Sequence, residues 1–248
     1  MSISVHQRPG VYSSYDASAV VSGSGAGGMV GLAAVNPAVP AGEVQIVTSY
    51  DRAAALFGEG GSEDMAPLTR LALKNGASSV AAVPVAGEEG YEAAFARLAG
   101  MEDIALVICG STDIEVQKKL RDSVAAASEM RRERLCVVAG AKDEGVDGLI
   151  ARAKAINHER VVLVAPGAVD GAGEAISGLT LAAAVAGAIA GESDPAVPLG
   201  GAELQGLNGL DLRLEDKDVD RLILGGVTPV ESLGGAVSVV RGVTTRTT

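Results

Sequence analysis

Tryptophan is missing from this chain of 248 residues, and tyrosine and phenylalanine bring the aromatic share to only 2%. Apolar residues still make up 48%, so the core has to be assembled from Ala, Val, Leu and Ile, with 33 glycines allowing close approach of backbones. The length suits one large domain or a domain with an appendage, and roughly 70% of the chain's surface can be buried on folding. Cationic residues are also scarce. Lys and Arg number 20 against 31 Asp and Glu, a formal net charge of −11. That sign argues against nucleic acid and anionic lipid as main partners, because both require a cationic face. Only two cysteines occur, Cys109 and Cys136, each inside an apolar run where it reads as a small buried hydrophobe. With no secretory signal and no cysteine framework, synthesis in a reducing cytoplasm is expected. Residues 176–191 carry no charge, but these 16 positions are mostly Ala and Gly. A spanning helix needs about 20 strongly apolar residues, so the run reads as a buried helix and the chain as soluble.

The first 42 residues hold only two charged side chains, Arg8 and Asp16, among many Ser, Gly and Val. They are expected to form an extended N-terminal arm and a first strand, segment 1–42, ahead of a core domain over 43–248. From residue 43 the texture changes. Val44, Ile46 and Thr48 mark alternating positions of a half-buried strand, and Ser49, Tyr50 and Asp51 open a short helix that stops at Gly58. Residues 64–75 place Met65, Leu68, Leu71 and Ala72 at helical spacing and end on Asn75-Gly76. Apolar, β-rich runs then recur at 79–85, 104–109, 135–139 and 161–165. Helical patterns separate them at 88–99, 112–130 and 146–156, and a small-residue helix follows at 179–190. This alternation predicts an α/β fold, a mainly parallel sheet flanked by helices. Beyond Gly191 the pattern predicts a strand over 212–217, a helix over 218–224, and a hairpin of strands 227–231 and 236–243. The C-terminal segment is therefore expected to be rich in β-hairpin.

Motifs that carry chemistry are few. Gly23, Gly25 and Gly28 have the spacing of a dinucleotide fingerprint. That motif needs a helix opening at its last glycine, so that amides and dipole meet a pyrophosphate, and residues 29–35 are β-like instead. An α/β nucleotide-binding enzyme using the Gly23–Gly28 turn is kept as an alternative. His6 and His158 are the only histidines; His158, in Asn157-His158-Glu159, has no nucleophile-elbow pattern to serve and reads as a solvated loop side chain. Asp143, Glu144 and Asp147 lie where a helix starts and complement its dipole. Arg131, Arg132 and Arg134 lie at the end of a long helix, where cations are favoured. The scattered His and Cys give no metal-ligand spacing. No catalysis, cofactor or metal is expected.

Two stretches carry a resemblance. Arg8-Pro9-Gly10-Val11-Tyr12 is similar to the opening R-P-G-V-Y segment of contractile phage tail sheath subunits. Leu222 and Gly226-Val227-Thr228-Pro229-Val230, followed by Val239-Val240-Arg241-Gly242-Val243-Thr244-Thr245, resemble that family's G-V-x-P-[IV] turn and V-V-R-x-[IV]-T-T strand. These landmarks stand at both ends of the chain, with the middle matched by architecture. The resemblance implies a structural subunit of a contractile tail sheath, arranged in helical rings around a tail tube that contraction drives into a target cell. It implies further sheath subunits, the tail tube protein, and baseplate and tail terminator proteins as partners, with no nucleic acid and no membrane. The place implied is a virion tail or a related injection particle, made in the bacterial host cytoplasm. Arg8, Pro9, Gly10, Val11 and Tyr12 would form an inter-subunit strand-exchange arm, and Val239, Val240, Arg241, Thr244 and Thr245 a family-like C-terminal strand. Family members continue past that strand into another domain, so these residues are expected to be part of a longer chain. A non-contractile assembly scaffold is the remaining alternative.

Overall fold

The structure is a computed structural model that describes residues 27–192 and 197–247. Strands β1 (Met29–Val35) and β2 (Gln45–Val47) come first, followed by helices α1 (Tyr50–Phe57) and α2 (Met65–Lys74). Strand β3 (Ser79–Val85), α3 (Tyr91–Ala99), β4 (Ile104–Cys109), α4 (Ile114–Glu129), β5 (Leu135–Ala139), α5 (Val146–Ile156) and β6 (Val161–Ala165) then alternate. A small ribbon of β7 (Ala168–Val169) and β8 (Ala175–Ile176) leads to α6 (Leu179–Gly191). The chain closes with β9 (Glu203–Leu204), α7 (Asp216–Leu224), β10 (Thr228–Leu233) and β11 (Ala236–Val239). The main sheet runs β2-β3-β1-β4-β5-β6-β10-β11-β9. All neighbours from β3 to β10 pair in parallel, while β2 and the C-terminal strands add antiparallel margins.

A parallel sheet needs cover on both faces, which is why its strands are apolar at successive positions and do not alternate. Val30, Leu32 and Ala34 of β1 pack with α2 and α6, whereas Ala33 packs with Tyr91 and Phe95 of α3 on the opposite side. The four runs read as strands, 79–85, 104–109, 135–139 and 161–165, are β3 to β6. β1 lies at the centre, between β3 and β4. The strand expected within segment 1–42 is thus part of the core sheet, and the core begins ahead of residue 43.

Helix α6 is where the glycine and alanine content acts. Ten of its 13 residues are buried, and six of those are Ala or Gly. A Cβ built on Gly187 would lie 2.3 Å from the carbonyl oxygen of Ala72, so α2 and α6 touch backbone to backbone. Gly76, at φ +126, and Gly191 extend the contact: a Cβ on either would come within about 3 Å of the other's Cα.

Arg134 is 3% exposed and, among the described residues, pairs with no carboxylate. Its Nη1 donates to Leu98 O at 2.9 Å and its Nη2 to Met101 O at 2.8 Å, while Arg132 Nη1 donates to Ala99 O at 3.0 Å. These cations therefore satisfy the last carbonyls of α3 and not those of α4, the helix they follow in sequence. Two further expectations change. Residues 212–217 form no strand, because Glu215 is already the N-cap of α7 and only an isolated bridge at Leu210 forms. The hairpin is tighter than its sequence suggests. Gly234 and Gly235, at φ +59 and +90, make a two-residue turn, and β11 ends at Val239, short of residue 243.

Gly187→Ala should lower stability by about 1–3 kcal/mol through overpacking against the α2 backbone. Gly87→Ala, where a Cβ meets nothing within 4 Å, should stay within about 0.5 kcal/mol; urea unfolding midpoints read both. Arg134→Met should cost about 2–4 kcal/mol, because it removes the buried charged donors to Leu98 O and Met101 O. An unchanged midpoint would show that these bonds contribute nothing.

Candidate assembly surface

The C-terminal landmarks split in two. Val239 lies in β11, paired with Val230, and Val240 N donates to Pro229 O at 2.9 Å. The chain then leaves the sheet margin. Val243 N donates to Thr228 Oγ1 at 3.0 Å, and the same hydroxyl donates back to Val243 O at 2.9 Å. Thr245 N donates to Val161 O at 2.8 Å. Thr245 is fully buried; its Oγ1 accepts from His158 N and donates to His158 O, each at 3.0 Å. Arg246 pairs with Glu159. Gly226 makes room: at φ +79, a Cβ there would meet Thr245 O at 3.1 Å. Val239 is therefore a strand residue, Thr245 anchors the terminal segment at the start of β6, Val240 and Thr244 are half-buried and Arg241 is exposed. Arg8, Pro9, Gly10, Val11 and Tyr12 lie outside the described residues.

The titratable groups have structural duties. His158 Nδ1 accepts from Arg160 N at 3.1 Å, which occupies the lone pair a general base would use. Asp147 pairs with Arg221. Glu144 accepts from Ala141 N at 2.8 Å and pairs with Arg152 at 2.9 Å; Arg152 also donates to Thr112 O and Gln117 Oε1, and Gln117 donates to Ala139 O at 2.8 Å. This network fills the region beyond the carboxyl ends of β4 and β5, where open α/β sheets hold ligands. Burial pushes the Cys109 thiol up to about 12 and raises that of Cys136 as well. Gly28 precedes β1 and donates its N–H to Ala190 O at 2.6 Å, so no helix opens there toward a phosphate. Gly23, Gly25 and His6 lie outside the described residues. Among the described residues no cluster of His, Cys, Asp or Glu could hold a metal, and no helix is long and apolar enough to cross a membrane.

What the sheet does offer is open backbone. β10 pairs with β6 only through Thr228 and Pro229, so the hairpin beyond Val230 projects past its neighbour. Leu233 at the tip is 63% exposed. Beneath it lies a depression of about 450 Å³, lined by Leu210, Leu212, Leu214 and Glu231 among others. The opposite margin, β2, is three residues long with Ile46 half exposed. Short and twisted edges discourage indiscriminate pairing while leaving donors and acceptors for a selected strand. Sequence reasoning did not find the Thr245–His158 anchor. Its signal was the threonine pair of the terminal motif, which matters through a loop 87 residues away.

A family model described as the phage tail sheath protein central domain matches residues 85–245. A tail sheath protein of Bacillus phage SP01 is 31% identical over 150 residues, 58% of this chain and 26% of that protein. The chain thus spans about a quarter of that curated relative. Among solved structures, a sheath tail protein from Desulfitobacterium hafniense superposes with a TM-score of 0.73 at 12% identity, over 96% of this chain and 76% of that one. A sheath tail protein from Listeria innocua gives 0.70 at 13% identity, over 92% and 71%. The helical sheath of the anti-feeding prophage in its contracted state gives 0.66 at 19% identity, over 96% and 68%. At these identities the likeness is one of fold.

Two outcomes follow from the geometry. Thr245→Val keeps the shape but strands His158 N and leaves His158 O only the bond from Val161 N; it should cost about 1–3 kcal/mol and speed hydrogen exchange at 158–161, read by urea unfolding and exchange NMR. Asp211 is the second case. Burial, then the nearby Asp143, hold its carboxyl above the ordinary aspartate range, and its Oδ1 has no hydrogen-bond partner. The folded state therefore binds this proton more tightly than the unfolded chain. The stabilisation is present below the unfolded pKa and is lost as pH rises through the folded one. Asp211→Asn should raise the melting temperature at pH 7 and change little near pH 3; equal shifts at both would refute the assignment.

Proposed function

Since the chain belongs to the phage tail sheath family, we propose that it is a structural subunit of a contractile sheath, surrounding a tail tube and driving it into a target cell on contraction. The observation that carries this reading is the family match over residues 85–245. The fold is consistent with it: a body of a mainly parallel sheet with helices on both faces and a hairpin that projects past its neighbouring strand. In this reading Arg8, Pro9, Gly10, Val11 and Tyr12 form an arm that adds as a strand to a neighbouring subunit. Val239 and Val240, held by β10 and, at Val239, by residues 201–202, support the hairpin beside which an arm would add, while Thr245 holds the terminal segment to the body. Each added main-chain hydrogen bond contributes about 1 kcal/mol net, which is weak for one short strand. Repetition around a ring and along a helix makes it strong by avidity. Further sheath subunits are the first partners, with tube, baseplate and terminator proteins beside them, and the place of action is a virion tail or injection particle. The reading needs no catalysis.

Sedimentation of the concentrated chain should reveal self-association that deletion of residues 1–12 abolishes at unchanged melting temperature. Oligomers that survive the deletion would remove the arm from the account. A melting temperature raised by nucleotides would instead favour the nucleotide-binding alternative.

A further inference from the structure

A pocket of about 300 Å³ lies between α2, the N-terminal end of α6 and the loop that follows β9. Arg70 of α2 lines it, half-buried, its guanidinium carbon 5.6 Å from the centre of the Tyr50 ring. That contact does not neutralise the guanidinium. The Nε–H is buried without a hydrogen-bond partner, and among the described residues Arg70 forms no ion pair. In a chain with 31 acidic residues against 20 basic ones, a half-buried arginine left uncompensated is an anomaly. A second donor points to the same place. Thr180, in the first turn of α6, is 6% exposed, lines the pocket, and its Oγ1 has no partner. The first turn of the 13-residue helix it opens holds no acidic residue, and its leading amide, Leu179 N, donates to Ser177 Oγ at 3.2 Å. The carboxylate on the rim, Glu59, is exposed and unpaired with Arg70; Glu63 is engaged with Ser177.

We propose that this pocket is a carboxylate-binding site, with Arg70 as the fork, Thr180 as the second donor and the N-terminal dipole of α6 behind them. A planar carboxylate matches the guanidinium fork with two parallel hydrogen bonds, and the volume accepts an acidic side chain or a small dicarboxylate. The carboxylate comes from an acidic side chain of a neighbouring copy or from a free acid. The assignment does not depend on the proposed function.

The test is side-chain NMR of the full chain labelled at arginine, titrated with glutarate at constant ionic strength. The Arg70 Nε–H resonance should shift saturably, sodium chloride alone should not reproduce the shift, and Thr180→Val should weaken binding several-fold. Because Thr180→Val removes an unpartnered hydroxyl, it should leave the melting temperature unchanged or raise it, which a merely structural role for Thr180 would not give. Arg70→Gln should abolish the shift. A resonance that does not move, or that moves identically with chloride and in Thr180→Val, overturns the proposal. Sedimentation separates the sources among positive outcomes. Glutarate that dissolves self-association identifies a neighbour's side chain, and saturable binding with self-association unchanged identifies a free acid.

Discussion

The fold depends on two helices meeting with nothing between them. α6 can lie flat against the sheet and against α2 at once only because Gly187 lets its backbone rest on the carbonyl of Ala72. Around that contact the alanines of α6 supply apolar area without depth. The buried aromatic on this side, Phe57, comes from the end of α1, whereas Tyr91 and Phe95 sit together on the other face. A larger side chain at the α2–α6 contact would move a whole layer, since close-packed interiors transmit a misfit and do not absorb it.

The polar interior follows the same economy. Arg134 is kept in a nearly dry position by carbonyls at the end of α3, which turns three elements into one joint: the helix that ends there, the helix before it in sequence and strand β5 after it. Glu144, Arg152 and Gln117 form a second joint beyond the strand ends. Both joints use long side chains to satisfy backbone that the strands and helices leave over. Both tie elements together at their ends.

Much of this was legible in the sequence, for a physical reason. Strands β3 to β6 are covered on both faces, so each is an unbroken apolar run and its limits can be read from where the run stops. The helices between them open at Asp113 or a glycine, and α3 and α5 close at Gly100 and Asn157. Legibility fails where tertiary contacts decide. Residues 212–217 alternate as a strand would, but no partner strand lies beside them and α7 claims their end. Residues 240–245 continue an extended pattern, yet the hydroxyl of Thr228 and the loop at His158 capture them before a ladder can form. Arg134 reads as a cation suited to the helix it follows, because nothing in sequence reveals that α3 ends beside it. The candidate surface was readable at its landmarks, Val239 and Thr245, but their different duties were not.

The two buried thiols have a consequence for where such a chain can work. A cysteine is oxidised, cross-linked or metallated as its thiolate, and burial holds Cys109 and Cys136 in the protonated form at any physiological pH. Moving from a reducing medium to an aerated one would therefore leave the two thiols of the folded chain unaltered. Copies packed side by side would acquire no adventitious covalent bonds to one another. Any sliding between them would meet only the resistance of contacts that can break and re-form.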